Sequence, residues 1–566
     1  MVRGVLWHKL WRELWRARWQ YGSVALMVHF GVAFYAGISG LYQSLTLSLD
    51  ASYTQYRLEH FGVTMRSAPV GVVERIRRIE GVAGAEGRLV EPVTIELGTE
   101  HPRRLMGRLI GIETRRPLQV NQLRLMHGRP LQGELSRETL LESKFAEYHG
   151  LRPREELTIR WREEKTKLAI AGVVRSPEYV YVVQSKQELL PSEDVFGVLF
   201  APRELVGQLI GQSGRINEVR VLVAEGYNPE LIAREVKRLL AAYDPEPPVM
   251  RKDQPSYYLL ESGVSELRSY AVFFPALFLS VSILTLYALL MRLVAQQRHT
   301  IGLLRALGYT RAQVLLHYLG GALLTGFIGG LLGVPAAFIV SYFFSEAYLS
   351  FLGLPVVVNV PPWTQTGVSM LLALGATLLS GTVPAWQAAQ IPPAQALRPE
   401  SPTVGRVASL DRFIPLLNRA RLLYRVPVRN LSRSPRRTVV GVLGVGLGVM
   451  MAMLARGIMD SRDVVLALYF EQVLSEDLRV GFTQLREASV VSQVRNWRGV
   501  ERVEGSLELP VKLRRGERTY DALLRAVDPS SPQLRLFTEA GEPVALTGLV
   551  CGQVVQDRLG LERGDM

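Results

Sequence analysis

Residues 270–291 read YAVFFPALFLSVSILTLYALLM and contain no charged side chain. As a helix, a run of this length crosses the roughly 30 Å hydrocarbon core of a bilayer. Two further uncharged runs follow, at residues 314–344 and 367–386. The sequence therefore predicts three membrane-spanning helices within residues 269–397.

The segment between the first two runs is basic. It carries four arginines and no acid, whereas the segment between the second and third runs, residues 345–365, has one glutamate and no lysine or arginine. Because positive residues are enriched in cytoplasmic loops, the arginine-rich segment is expected in the cytoplasm.

This basic segment has the pattern of a short amphipathic helix. Ile301, Leu304 and Leu307 recur at helical spacing, arginines occupy other faces, and Gly308 follows as a stop signal. Two interpretations are open. The helix anchors the chain to the membrane surface, or it docks a cytoplasmic partner.

Two motifs here carry a family resemblance. Residues 300–311, TIGLLRALGYTR, resemble a signature of FtsX/MacB-like ABC-transporter permeases, the family that includes lipoprotein-releasing permeases. Residues 383–390, VPAWQAAQ, and 393–398, PAQALR, resemble the motif that closes the third span.

The resemblance implies that the basic segment is a coupling helix, which sits in a groove of a separate ABC ATPase subunit, expected as a dimer. No cofactor is then expected on this chain, since ATP and Mg bind to the partner ATPase. The residues expected to form the coupling helix are Arg298, Ile301, Gly302, Leu304, Arg305, Ala306, Leu307, Gly308 and Arg311.

The first 20 residues predict a helix that lies in the membrane interface. Four tryptophans recur every four residues, and Lys9, Arg12, Arg16 and Arg18 occupy other positions on the wheel. The alternative is a tryptophan stripe packed into a protein core. The proposed interfacial anchors are Trp7, Trp11, Trp15 and Trp19.

Residues 21–45 predict the first span, with the N-terminus in the cytoplasm, and residues 46–268 an α+β domain outside it. Helical periodicity occurs at 71–79, 141–148 and 229–240, and strand-like runs at 93–97, 157–161, 168–174, 195–200 and 219–223. The domain resembles the extracytoplasmic, MacB-like domain of the same family. Residues 179–181, YVY, predict a packed strand or, alternatively, a contact with apolar cargo. Residues 257–267 predict a stalk continuous with the next span.

Small residues in the span after the basic segment predict close helix packing, against a partner or the second half of the protein. Glycines four residues apart let another helix backbone approach closely. They are Gly326, Gly329, Gly330 and Gly333.

The later part of the chain resembles the earlier part. Gly81-Val82 matches Gly499-Val500 at an offset of 418, and Gly150-Leu151 matches Gly560-Leu561. Residues 398–437 predict a basic cytoplasmic linker, 438–459 a fifth span and 460–566 a second, incomplete α+β domain. We expect an α-helical multi-pass membrane protein with two tandem FtsX-like repeats, the second truncated, and eight spans in the intact protein.

Composition and motifs disfavour several other functions. The net charge is +14, but the arginines cluster beside hydrophobic runs, which favours contact with anionic lipid over nucleic acid. Cys551 is the only cysteine, and neither a phosphate-binding P-loop nor a metal-ligand motif occurs. Neither an enzyme nor a metal protein is expected.

Together these features predict a permease subunit in the inner (cytoplasmic) membrane, contacting membrane lipids. It would couple ATP hydrolysis by the partner to the extraction or export of a lipoprotein, lipid or other hydrophobic cargo by mechanotransmission. The alternative is a non-transporting, ATP-driven regulator that controls an extracytoplasmic hydrolase.

Overall fold

The computed structural model describes residues 2–98, 103–162, 164–183, 193–396, 435–468, 477–478, 480, 482, 486–515, 518–529, 534–538, 542–546 and 548–562. The chain divides into two compact units, one formed by residues 1–243 and 249–451, the other by residues 244–248 and 452–566. The basic linker predicted at 398–437 lies outside the described residues except for its last three.

The first unit contains the helices α1 (Val2–Arg16), α2 (Arg18–Gln55), α3 (Val72–Arg77), α4 (Ser143–His149), α5 (Arg203–Ile210), α6 (Pro229–Leu239), α7 (Pro255–Gln296), α8 (Arg298–Ala306), α9 (Arg311–Leu352), α10 (Trp363–Gln390) and α11 (Pro393–Ala396). Its strands are β1 (Phe61–Pro69), β2 (Val82–Leu97), β3 (Arg103–Ile112), β4 (Arg124–Gly128), β5 (Glu138–Glu142), β6 (Glu156–Trp161), β7 (Glu164–Arg175), β8 (Phe196–Pro202), β9 (Arg215–Val223) and β10 (Val249–Met250). Helix α12 (Pro435–Ala467) follows.

Five helices in the described part of the chain are long and apolar enough to cross a membrane: α2, α7, α9, α10 and the section Gly441–Val465 of α12. Several are much longer than the uncharged runs that predict them, because a run ends at the first charge whereas the helix continues beyond it. Helix α7, of 42 residues, includes the segment predicted as a stalk. The chain is a multi-pass membrane protein.

Helices α2, α7, α9 and α10 pack into a bundle, and the glycines of α9 mark its closest contacts. A Cβ placed on Gly329 would lie 2.9 Å from the Cβ of Val28, and one on Gly333 would lie 2.9 Å from the Cβ of Val32, both on α2. Gly326 and Gly330 instead face Thr377 and Met370 of α10. The small-residue faces of α9 therefore meet helices of the same unit.

The α+β domain, β1 to β10, is built around one long strand. Residues 82–88 of β2 pair with β9, which pairs with β1, and residues 89–97 pair with β3. From β3 the pairing continues through β8, β5, β7 and β6, and β6 returns to β2, so that six strands close into a barrel.

Two of the hydrophobic cores of this domain illustrate the topology. The barrel is filled by side chains of its strands and of α4 and α5, including Ile95, Leu141 and Phe145, all fully buried. The open layer of β1, β9 and β2 packs against α3 and α6 through Ile76 and Val236. The helices predicted at 71–79, 141–148 and 229–240 correspond to α3, α4 and α6.

The prediction that residues 179–181 form a strand is wrong. The segment is irregular and bends after β7, with Tyr179 and Val180 buried. Val180 packs with Leu45 and Leu49 of α2, Leu260 of α7 and residues near the end of α9. Through this segment the α+β domain packs against the helix bundle.

A ladder of three serines connects α2 to the segment that joins α9 to α10. Ser44, Ser48 and Ser52 are fully buried and lie four residues apart on one face of α2. Each hydroxyl accepts a backbone N–H, from Val360 (3.2 Å), Val358 (2.9 Å) and Val356 (3.0 Å) respectively. Four helical residues rise about 6.0 Å and two extended residues about 6.6 Å, so the two repeats stay in register over all three serines.

We expect the change of all three ladder serines to alanine to release the segment 354–360. Each loss leaves a buried N–H without its acceptor, at a cost of about 1–3 kcal/mol. Amide hydrogen exchange of Val356, Val358 and Val360 should then accelerate by at least tenfold. Thr46→Ala is the matched control, since its hydroxyl donates within α2 to the carbonyl of Tyr42 (2.9 Å). Unchanged exchange in the triple variant would contradict this role.

In the second unit, α13 (Ser489–Arg495), β11 (Leu507–Arg515), β12 (Arg518–Ala526) and α14 (Gln553–Leu559) occur in the same order as α3, β2, β3 and α4. Strands β11 and β12 form an antiparallel hairpin, as β2 and β3 do. The glycines after α4 and α14, Gly150 and Gly560, both have positive φ, 67° and 65°.

Candidate coupling site

Helix α8 is a separate helix because its sequence stops it at both ends. Gln297 interrupts the helical geometry after α7, with φ −96° and ψ 9°. After α8, Gly308 has φ +93°, a conformation that glycine adopts without strain. Gly308 N–H donates to the carbonyl of Arg305 (3.2 Å) and Tyr309 N–H to that of Leu304 (3.1 Å). This is the Schellman arrangement that terminates helices.

The next helix starts immediately. Thr310 is the N-cap of α9, and its hydroxyl accepts the N–H of Gln313 (3.2 Å) while the Gln313 side chain accepts the N–H of Thr310 (2.8 Å). Arg305 Nη1 also donates to the carbonyl of Tyr309 (3.0 Å). The turn between α8 and α9 is therefore rigid.

One face of α8 is buried in its own chain. Ile301 is fully buried, in a cluster with Val294, Val314 and Ala388. A Cβ on Gly302 would overlap the Cβ of Ala396 in α11. The two sequence motifs at residues 300–311 and 383–398 thus pack against each other, which explains the glycine and the alanine at these positions.

The opposite face of α8 is exposed and partly apolar. Leu303 is 47% exposed and Leu307 69% exposed. Ala306 and Gly308 are also exposed, whereas Leu304 and Arg305 are half-buried. The three residues at helical spacing therefore differ in environment: Ile301 is buried, Leu304 is half-buried and Leu307 is exposed. Leu303 was missed, although its spacing of four residues from Leu307 was a usable signal.

The other predicted residues lie around this face. Arg298 is half-buried and Arg311 is exposed. The tryptophans at positions 7, 11, 15 and 19 are 57–82% exposed, so the alternative of a tryptophan stripe inside this chain's core is wrong. Within the described residues, no group of three or more His, Cys, Asp or Glu side chains could hold a metal ion.

At the far end of α7 a buried ionic cluster joins the α+β domain to two long helices. Glu59 follows α2 and Gln254 precedes α7. Glu59 Oε1 accepts from Gln254 Nε2 (2.6 Å) and from Arg220 Nη1 of β9 (3.0 Å). Arg251 Nε donates to the carbonyl of Glu59 (2.7 Å). We call this cluster, with Arg88 and Glu178, the domain joint.

The pKa values of Glu178 and Glu59, both in the domain joint, shift in opposite directions because their charged neighbours differ. Burial raises the pKa of Glu178, but Arg220 (2.9 Å) and Arg88 (2.7 Å) outweigh it and lower that pKa to about 2. Burial and the nearby charge of Glu178 raise the pKa of Glu59. Glu178 therefore carries negative charge between the two arginines, and Glu218 also pairs with Arg220 (2.8 Å).

The α+β domain also holds the end of α9 and the segment after it directly. Arg175 Nη1 donates to the carbonyl of Leu354 (3.4 Å), Lys144 Nζ donates to that of Ser350 (3.2 Å), and Arg124 Nη1 donates to that of Pro355. With the domain joint and the serine ladder, these bonds connect the domain to α2, α7 and α9. Helix α8, between α7 and α9, is therefore linked to the domain through continuous helices.

The fold and this site define a multi-pass membrane protein with a short exposed helix between two spans. Residues 272–393 match the family described as FtsX-like permease C-terminal. This match covers most of α7 and all of α8, α9 and α10, so that this part of the chain is assigned to the FtsX-like permeases.

Among the solved structures that are similar to parts of the chain are the following two. One is the extracellular domain of the noncanonic ABC-type transporter YknZ from Gram-positive bacteria, at 14% identity and a TM-score of 0.24, covering 32% of this chain and 92% of that one. The other is the periplasmic region of MacB from Actinobacillus actinomycetemcomitans, at 11% identity and a TM-score of 0.24. The similarity covers 36% of this chain and 92% of that one. No curated protein matches the chain.

Proposed function

We propose that this chain is the membrane subunit of an ABC transporter whose ATPase is a separate chain that docks on α8. One observation carries the proposal: Leu303 and Leu307 expose an apolar face on a helix whose other face is locked into the bundle. Large exposed apolar side chains on a rigid element are typical of an interaction site.

The docked ATPase would act mechanically. Movement of α8 displaces α7 and α9 together, because the connections are short: Gln297 alone separates α7 from α8, and a tight turn at Gly308 separates α8 from α9. Helix α7 carries that movement over 42 residues, about 63 Å at 1.5 Å per residue, to the domain joint. The α+β domain then changes position without a catalytic step in this chain.

The cargo we propose is a lipoprotein, a lipid or another hydrophobic molecule. A domain driven from the membrane by two long helices suits extraction of an amphiphile at the bilayer surface. In this arrangement the N-terminus and α8 are cytoplasmic, the α+β domain is extracytoplasmic, and the membrane is the inner (cytoplasmic) one. The arginines around α8 support this orientation.

We further propose that the chain contains two tandem repeats. The shared order of α3, β2, β3, α4 and α13, β11, β12, α14 supports it, as do the matching positive-φ glycines Gly150 and Gly560.

Reconstitution with the ATPase tests transport. The complex in lipid particles is given ATP, and release of a fluorescent lipid-anchored peptide is measured. We expect release that requires hydrolysable ATP and is lost when ADP replaces ATP. ATP turnover without release, accompanied by activation of a bound extracytoplasmic hydrolase, would support instead the second candidate, an ATP-driven regulator.

A further inference from the structure

Helix α1 has three distinct faces. Leu10 and Leu14 face the bundle. Leu10 packs against Gly321 of α9, where an added Cβ would lie 3.2 Å from Leu10 Cδ1. Trp7, Trp11 and Trp15 are exposed on a second face. On the wheel at 100° per residue, exposed Arg12 and Arg16 occupy the third face, on the other side of the tryptophans from the leucines.

The outward faces of α1 fit an anionic lipid surface. Tryptophan rings lie at headgroup depth, and arginines attract anionic headgroups. Arg18 stacks over the rings of Trp15 (5.3 Å) and Trp19 (5.9 Å), which keeps its charge beside the aromatic stripe. The one acid of α1, Glu13, is on the bundle side. Helix α1 also continues almost directly into the span α2, which keeps it near the end of that span.

The inward face of α1 reaches the start of α8. Lys9 Nζ donates to Gln297 Oε1 (3.2 Å), and Gln297 is the residue that separates α7 from α8. The same oxygen accepts from Tyr318 OH of α9 (2.8 Å). Gln297 therefore holds α1, α7, α8 and α9 at one point.

An ion pair fixes Lys9 in this position. Glu13 pairs with Lys9 one turn away, and His317 Nε2 lies 3.0 Å from Glu13 Oε2. Burial raises the pKa of Glu13, but the bonds to His317 and Lys9 outweigh it and lower that pKa. A charged Glu13 holds the Lys9 ammonium within reach of Gln297.

We propose that anionic phospholipid headgroups bind α1 through Arg12 and Arg16, and that Lys9 and Gln297 transmit this binding to the coupling helix α8. The inference rests on the proposed function, because it makes ATPase coupling depend on the lipid of the cytoplasmic leaflet. Binding of α1 to the headgroups strengthens the Lys9–Gln297 contact and orders the beginning of α8.

The test uses the full chain alone, in nanodiscs of phosphatidylcholine with or without phosphatidylglycerol, and measures amide hydrogen exchange. We expect phosphatidylglycerol to slow exchange in α1 and, by about threefold or more, in α8. The double variant R12Q/R16Q should lose both effects. R268Q/R292Q removes the same charge from exposed positions of α7 and should keep both.

Gln297 separates the two steps. In Gln297→Ala, phosphatidylglycerol should still protect α1 but no longer α8, whereas Gln297→Glu keeps an acceptor for Lys9 and Tyr318 and should retain the response. Protection of α1 without protection of α8 in the unaltered chain would overturn the proposal, and so would a full α8 response in Gln297→Ala. Because no ATPase is present in this test, a negative result contradicts the lipid response of α8 and leaves the proposed docking of the ATPase untouched.

Discussion

Replacing Leu303 and Leu307 by aspartate should abolish binding of the partner ATPase while membrane insertion stays intact. Burying an apolar anchor at the centre of an interface contributes about 2 kcal/mol or more, and a carboxylate in its place must be desolvated. We expect at least a hundredfold loss of affinity. The measurement is co-purification of the ATPase with the detergent-solubilised chain, followed by titration of the purified partners.

Ala312→Asp is the control for this experiment. It introduces the same side chain on an exposed position in the first turn of α9, where a negative charge is favourable. Binding should be unchanged or nearly so. If the double variant binds the ATPase as well as the unaltered chain does, α8 is not the docking element.

Replacing Arg220 by methionine should strongly destabilise the α+β domain. Arg220 Nη1 and Nη2 contact Glu59 (3.0 Å), Glu178 (2.9 Å) and Glu218 (2.8 Å) in a buried position. Removing one partner of a buried ionic cluster leaves uncompensated charge and costs about 3–5 kcal/mol. For a domain of this size, the melting temperature should fall by about 10 °C. Thermal unfolding followed by domain-specific hydrogen exchange measures it.

The pH dependence of this variant follows from Glu178. Because its folded pKa, about 2, is below its unfolded value, its contribution to stability is present above about pH 4 and is lost as the pH falls toward 2. Without Arg220 that depression weakens, so the difference between the variant and the unaltered chain should shrink between pH 4 and 2. A constant difference over that range would contradict the assigned charge on Glu178.

Lys167→Gln is the matched control for Arg220. It breaks an ion pair with Glu156 (3.3 Å) in which the two side chains are 72% and 64% exposed. Exposed pairs contribute about 0–1 kcal/mol, so the melting temperature should barely change. A large effect of this control would mean that removal of charge, rather than burial, explains the Arg220 result.

Much of the architecture could be predicted because membranes impose strong local rules. An uncharged run such as 270–291 has few alternatives to a spanning helix, since backbone groups in lipid must be paired within the segment. The helix predicted at 229–240 was likewise predictable, because Asn228 before Pro229 is a local start signal and Asn228 caps α6.

For the coupling site, the sequence predicted the helix α8 but not which of its faces is exposed. Periodicity identified α8 as amphipathic, but it could not tell which apolar residues pack inside the chain and which face outward. Ile301 is buried because α9 and α10 meet it with Val314 and Ala388, more than ten residues away in sequence. Leu303, on another side of the same helix, remains exposed.

Local composition and motifs were sufficient to predict the spans, the short basic helix between two of them, the α+β character of the large domain and the resemblance to FtsX-like permeases. The folded structure was needed to show that Leu303 and Leu307 form the outward face, that Ser44, Ser48 and Ser52 hold the segment after α9, and that Glu59, Glu178 and Arg220 meet. These arrangements depend on contacts across as many as 316 residues, as between Ser44 and Val360, and no local pattern encodes such contacts.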